Sequence, residues 1–395
     1  MISKNKKVLV VFGTRPEAIK LAPVIKALER TPNLGVVTCV LRQQKELLDD
    51  PLKVFHIKPN YDIDLPFGNH GLLSGNILKK GWSALKVGLG LLRFLFILKK
   101  RKPDLMVVQG DTSTVFIVAF IAFHFKIPVA HVEAGLRSGN KYSPFPEEIN
   151  RKLTCSIADL HFASTESAKQ NLLKENIDEN KVWVTGNTVL DALHLVTEFH
   201  DEEAIKKRIN SFFKEKYDIT LDNPNKKVIL ITAHRRESFG EGMKNIVEAI
   251  AELAHTFPDI TFVYPVHPNP NVRDVVFPSL KNISNIRLTE PLGYESFTFL
   301  MENSYIILTD SGGIQEEVSF IGKPTLVMRE VTERPEGVNS GNAMLVGTDK
   351  DKIIKETTRL LESEMAYEVM SKKHTAFGDG YASERIAKVI QNYLN

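Results

Sequence analysis

Cysteine is scarce. The chain has two, Cys39 and Cys155, each inside an apolar stretch and neither with a second Cys or a His at metal-ligand spacing. That excludes a disulfide scaffold and a thiolate metal site, so both read as reduced core thiols and no metal is expected. Charge of one sign is scarce too: the formal net charge is +3 over 395 residues, with basic residues spread throughout, and a broad nucleic-acid surface is not expected. Internal repeats and low-complexity tracts are missing. So is a Gly-x-Gly-x-x-Gly fingerprint, which removes the expectation of a nicotinamide or other dinucleotide cofactor. Long apolar runs are few. The run Val8 to Phe12 stops at Gly13-Thr14-Arg15, too short for a signal-peptide core, so cytoplasmic residence is expected. Trp82 to Leu98 is strongly apolar, but Lys86 and Arg93 interrupt it below the roughly 20 apolar residues of a membrane span. It reads as a buried helix and membrane contact is not expected, although the adjoining Lys99-Lys100-Arg101-Lys102 is also a mark of interfacial anchors.

What is present is an alternation of short β-rich runs with longer helical patterns from end to end, the pattern of parallel sheets covered by helices on both faces. The length suits two domains, and two doubly wound, Rossmann-like α/β domains are expected. The first half offers strands at Lys7 to Phe12, Val36 to Leu41, Leu105 to Val108, Pro128 to Val132, Leu160 to Ala163 and Val182 to Val184. The second offers Lys227 to Thr232, Thr261 to Val266, Ile286 to Thr289, Tyr305 to Leu308, Thr325 to Val327 and Met344 to Val346. Between them the charged stretch Asp201 to Asn225 marks a boundary just before or within it, placed near residue 190.

In open parallel sheets ligands bind beyond the carboxyl ends of the strands, and here those ends are polar. The run Tyr305 to Leu308 leads into Asp310-Ser311-Gly312-Gly313-Ile314-Gln315-Glu316-Glu317. Two glycines admit close backbone approach, and a helix opening there aims unsatisfied N–H groups at an anion. Ser311 adds a hydroxyl, and Glu317, a turn further on, is placed to meet a ribose, so a nucleotide diphosphate is expected. His234 and Arg235, after another strand, suit its phosphates, whereas His267 reads as structural. In the first half, Arg15 and Lys20 follow the first strand, and Asp111, Glu133 and Glu147 lie on consecutive strand-end loops. Each acid alone reads as a cap or solvated helix start, with Asp111 able to cap a helix at Thr112; together they suit paired proton transfer, because repulsion and burial push such pKa values apart. A sugar nucleotide fits this division, its diphosphate in one domain and its sugar facing the acids of the other across a cleft. The loop Thr332 to Gly337 has no role readable from its residues.

Gly13-Thr14-Arg15-Pro16-Glu17-Ala18-Ile19-Lys20, His131-Val132-Glu133-Ala134-Gly135-Leu136-Arg137, Tyr142-Ser143-Pro144, Pro146-Glu147-Glu148, Thr185-Gly186-Asn187-Thr188, His234-Arg235-Arg236-Glu237 and Asp310 to Glu317 occur in that order. With them the chain resembles, over nearly its whole length, the non-hydrolysing UDP-N-acetylglucosamine 2-epimerases. The resemblance implies a glycosyltransferase-B type fold, with residues 1–190 and 372–395 forming the sugar and catalytic domain and 191–371 the UDP-binding domain, in a homodimer. It implies interconversion of UDP-N-acetylglucosamine and UDP-N-acetylmannosamine by anti elimination of UDP to 2-acetamidoglucal and re-addition, without a cofactor, supplying surface polysaccharide precursors. Arg15, Lys20, Gln43, Asp111, Glu133, Glu147 and Arg151 carry over to the sugar and catalytic side. His234, Arg235, Ser311, Gly312, Gly313 and Glu317 carry over to UDP. Asp111, Glu133 and Glu147 are expected to handle the C2 proton, with His234 and Arg15 stabilising the leaving UDP.

The chain departs from the family pattern in Leu41 to Asp49, where Gln43 is kept and Gln44 replaces a histidine; that segment helps bind an activating second substrate in bacterial members. Ser319-Phe320, Ala376-Phe377 and Pro66 to Leu98 also differ, which leaves an altered sugar as an alternative. A glycosyltransferase of the same architecture, a hydrolysing epimerase and a nucleotide-sugar sensor are the other readings. Three carboxylates on one rim weigh against the transferase, and retention of the reactive residues weighs against the sensor.

Overall fold

The computed structural model describes residues 5–43, 48–65, 77–223, 225–332 and 334–395, so Gln44 to Leu47, Pro66 to Asn76 and Glu333 lie outside the described residues. The chain divides into two compact units, Met1–Ala192 with Gly378–Asn395, and Leu193–Phe377. The division falls inside the helix Thr188–His200.

Among the described residues the first unit holds seven strands: β1 (Lys6–Phe12), β2 (Leu34–Arg42), β3 (Tyr61–Asp64), β4 (Leu105–Gln109), β5 (Val129–Ala134), β6 (Leu160–Ala163) and β7 (Val182–Val184). They pair in parallel in the order β3-β2-β1-β4-β5-β6-β7. Because successive side chains of a strand point to opposite faces, β1 feeds two cores. Val8, Val10 and Phe12 meet Leu21, Val24, Ile25 and Leu28 of the helix Arg15–Arg30, with Ile386 and Ile390 of the helix Ala382–Leu394. Leu9 and Val11 meet Phe94, Ile97 and Leu98 of the helix Ile77–Arg101, with Val115 and Val118 of the helix Ser113–His124. The buried carboxylate of Asp191 accepts the N–H groups of Ala382 and Ser383, capping the last helix onto this unit.

Strand β3 has no counterpart among the expected strands. It is a short edge strand in which Ile63 is the one buried residue, flanked by Asp62 and Asp64, and so carries almost no apolar signal. The expectation of a buried helix at Trp82 to Leu98 is corrected. One face of Ile77–Arg101 is buried through Val87, Phe94, Ile97 and Leu98, but Leu85, Leu89, Leu92 and Phe96 are exposed. Apolar content alone does not distinguish a helix covered on both sides from one covered on one side. Among the described residues no helix is long and apolar enough to cross a membrane.

The second unit holds β8 (Val228–Thr232), β9 (Thr261–Pro265), β10 (Ile286–Thr289), β11 (Ile306–Thr309), β12 (Thr325–Val327) and β13 (Ala343–Leu345), parallel in the order β10-β9-β8-β11-β12-β13. The charged stretch after Asp201 contains the helix Glu203–Tyr217, whose Ile209 and Phe213 enter this unit's core. In each sheet the connections reverse direction beside the first strand, between β2 and β4 around β1 and between β9 and β11 around β8. That switch point parts the loops at the carboxyl ends and leaves room for a ligand.

Candidate active site

In the first unit the acids are met by side-chain cations. Lys20 reaches across from the helix after β1 and places its ammonium 2.7 and 2.6 Å from the two oxygens of Glu133, both side chains being largely buried. Gln109, at the end of β4, donates to the same carboxylate, and Asn187 donates to it at 3.2 Å. Glu133 sits at φ +62°, a left-handed conformation costly for a residue with a β-carbon, where the β5–β6 register shifts between Val132 and Ala134. This kink turns its side chain out of the strand's regular alternation. Gly135 follows at φ +89°, and a β-carbon there would stand 2.2 Å from the Ala168 carbonyl, so only glycine allows the chain to pass.

Asp111 is paired with Arg151, whose Nε donates at 2.9 Å and whose Nη2 lies 2.7 Å away. The same guanidinium donates at 3.0 Å to Glu148, which also accepts the N–H groups of Ser138 and Gly139. Burial pushes the Glu148 carboxyl up, but these donors outweigh it and hold its pKa below the ordinary value. The helix cap is Thr112, which accepts from Val115 N–H, so Asp111 is not needed as a cap. Glu147 opens the helix Glu147–Ile157, half-buried, and it is Glu148 that joins Arg151. Arg15 stands 3.9 Å from Asp50, and Gln43 donates to Thr114 at the start of the helix beyond Asp111.

Two buried residues brace this rim. Glu17 accepts from Gly13 N–H at 2.6 Å, Thr14 N–H at 3.2 Å and the Thr112 hydroxyl at 2.7 Å, tying the loop after β1 to the loop after β4. Burial pushes its carboxyl pKa up, and these three donors oppose that rise. His131 lies on β5 with Nε2 at 2.8 Å from the Gly110 carbonyl and Nδ1 at 3.5 Å from the Cys155 sulfur. A carbonyl only accepts, so Nε2 carries the proton. Burial pushes the pKa of His131 down to about 4, against the Gly110 bond, and the ring is neutral at neutral pH.

In the second unit the backbone does the holding. Asp310, fully buried after β11, accepts the N–H groups of His234 and Arg235 at 2.6 and 2.7 Å and lies 3.5 Å from His234 Nδ1. Burial lowers the His234 pKa, with Asp310 acting in the opposite sense and His267 and Arg235 adding to the fall. His267 stacks on His234 with centroids 5.2 Å apart. Ser311 caps the helix Gly312–Ile321 without using its hydroxyl, and a β-carbon on Gly313 would meet nothing within 4 Å. The helix start is therefore open on the side of Gly313. Arg334 lies against Gly312, 2.9 Å from where a β-carbon would stand, with its Nε donating at 2.7 Å to Glu316. Glu317 is buried and accepts from the Tyr294 hydroxyl at 3.2 Å.

Sequence reasoning missed Glu17, Gln109, Glu148, Asn187, Asp310 and Arg334. Most stand inside or next to the motifs already singled out, but their partners lie far along the chain, and no spacing rule names such a partner. Among the described residues no group of three or more His, Cys, Asp or Glu is placed to hold a metal.

Two Rossmann-like units with polar strand ends define the glycosyltransferase-B type of nucleotide-sugar fold, and the comparisons agree. The family profile described as UDP-N-acetylglucosamine 2-epimerase matches residues 26–391. The UDP-N-acetylglucosamine 2-epimerase of Escherichia coli (strain K12) is 47% identical over 387 residues, covering 98% of each chain. That of Yersinia pestis is 48% identical, covering 98% of this chain and 99% of its own. The crystal structure of UDP-GlcNAc 2-epimerase from Neisseria meningitidis bound to UDP-GlcNAc is similar at a TM-score of 0.85 and 45% identity, over 98% of this chain and 100% of the other. The chain belongs to the UDP-N-acetylglucosamine 2-epimerase family.

Proposed function

We propose that the chain interconverts UDP-N-acetylglucosamine and UDP-N-acetylmannosamine without net hydrolysis. The observation that carries the reading is Glu133, turned out of β5 in a left-handed conformation and held by Lys20, Gln109 and Asn187 in a chain of this family. In the reaction the C2–H and C1–O bonds break, a C1=C2 double bond forms and UDP leaves; the proton then returns to the other face and UDP adds back. Electrons balance within the sugar, so no redox cofactor is called for. Asp111, Glu133 and Glu147 share removal and return of the C2 proton, with Lys20 and Arg151 holding two of them in place. Ser311, Gly312 and Gly313 seat the diphosphate at the helix start, Glu317 meets the ribose, and Arg15, Arg235 and Arg334 add positive charge. His234, kept neutral by burial, has Asp310 behind Nδ1 to favour its charged form as the negative diphosphate arrives.

The catalytic rim belongs to the unit Met1–Ala192 with Gly378–Asn395 and the UDP seat to Leu193–Phe377. The enzyme works in the cytoplasm on precursors of surface polysaccharide, as a homodimer. For the dimer the supporting observation is an uncharged outer stripe: Phe120 and Phe123 are exposed on the helix Ser113–His124, which has no Lys, Arg, Asp or Glu. Such a patch can meet its own copy about a two-fold axis without charge conflict.

Proton NMR of the purified protein with UDP-N-acetylglucosamine in heavy water tests the chemistry. UDP-N-acetylmannosamine with deuterium at C2 is the expected result. Free sugar with UDP would mean a hydrolysing enzyme, and no change would point to a modified sugar or a transferase. Sedimentation velocity tests the dimer.

A further inference from the structure

We propose that the outer face of the helix Ile77–Arg101 docks on an anionic lipid bilayer. Leu85, Leu89, Leu92 and Phe96 repeat at helical spacing along that face and are 57%, 53%, 63% and 64% exposed. The opposite face is anchored in the core by Phe94, Ile97 and Leu98, so the stripe cannot turn inward. The helix contains no acidic residue, while Lys86, Arg93, Lys99, Lys100 and Arg101, followed by Lys102, supply positive charge. Lys100 holds its ammonium 5.8 Å from the centroid of the Phe96 ring, an apolar stem beside an apolar ring with the charge free to reach a headgroup. Leu, Phe and Lys/Arg on one helix surface is the composition of segments that lie in the interface of a membrane.

Charge complementarity selects the occupant. A second copy of the same stripe about a nearby two-fold axis would set these cations against themselves, whereas the neighbouring Ser113–His124 stripe carries no such penalty. An anionic headgroup layer attracts every one of them. Beside the stripe runs an open groove of about 840 Å³ whose apolar wall includes Leu89, Leu92, Phe96 and Ile97. Of the two carboxylates in that groove, Asp62 and Asp64, Asp62 is already paired with Arg42 at 2.7 to 2.9 Å, and Lys86 and Arg93 line the same groove with positive charge.

The full chain is spun with vesicles of phosphatidylglycerol mixed equally with phosphatidylcholine, and with vesicles of phosphatidylcholine alone. Pelleting with the anionic vesicles only, reversed by salt, is expected. Leu89→Glu with Phe96→Glu, and separately Lys99→Glu with Lys100→Glu, should each lower the bound fraction at least about tenfold. Both pairs are exposed, so the thermal midpoint and the sedimentation coefficient should stay as in the parent. Failure to bind anionic vesicles, or equal binding by both variants, overturns the proposal. So does conversion of a dimer to a monomer by Leu89→Glu with Phe96→Glu, which would assign the stripe to a second copy. None of these readouts depends on epimerase turnover.

Discussion

Glu133 and Asp111 of the first unit and Asp310 of the second are held in opposite ways. In the first unit Glu133 and Asp111 are met by the charged ends of long side chains, Lys20 and Arg151. In the second, Asp310 is gripped by two backbone N–H groups and is wholly buried. A carboxylate held by side chains can exchange a partner for a substrate proton with little rearrangement of the fold. One held by backbone amides cannot, and instead fixes the loop that carries it. The first arrangement suits groups that take part in chemistry, and the second suits a rigid frame around an anion seat.

The sharpest way to break that contrast is Glu133→Gln, which keeps the size of the side chain and removes its basicity. Turnover should fall on the order of 10³-fold, while UDP affinity measured by calorimetry stays within about twofold. An equal loss of both would erase the division between the clusters. Next comes the brace beneath the first cluster. His131 has its pKa depressed from 6.5 to about 4, so between those values the unfolded chain binds a proton that the native chain does not. Stability is therefore complete above pH 6.5 and lost as pH falls toward 4, by about 3 kcal/mol. Denaturant unfolding of His131→Asn against the parent at both ends of that window should show this slope only in the parent. The smallest effect is expected at the anion seat. Gly313→Val places its side chain in open space, so the thermal midpoint should barely move, while UDP affinity falls at least about tenfold. Gly312 differs, because the Arg334 guanidinium already occupies the space a side chain would need.

The dimer stripe and the lipid stripe extend the contrast to the outside of the first unit. Both lie on helices covering the same face of one sheet, yet one is uncharged and the other wholly basic. The charge difference is visible in the sequence; that both segments present an exposed apolar stripe is not.

Much was readable without coordinates. The alternation of strands and helices gave the parallel sheets, because a strand buried on both faces must be a short apolar run and the crossover must be a helix. The motifs gave the family, and the strand-end rule gathered Asp111, Glu133, Arg15 and Lys20 on one unit and His234 with Ser311 to Gly313 on the other. Strand β3 escaped because its residues alternate with acids at a sheet edge. Sequence by itself determined which segments form strands and helices and where polar residues interrupt them, since hydrophobic periodicity is a local property of the chain. Tertiary structure alone decided that Lys20 meets Glu133, that Arg151 meets Asp111, that Asp310 takes the amides after β8, and that one side of Ile77–Arg101 is left uncovered. Each of those facts depends on which distant segment arrives beside a residue, and no local pattern encodes its neighbour.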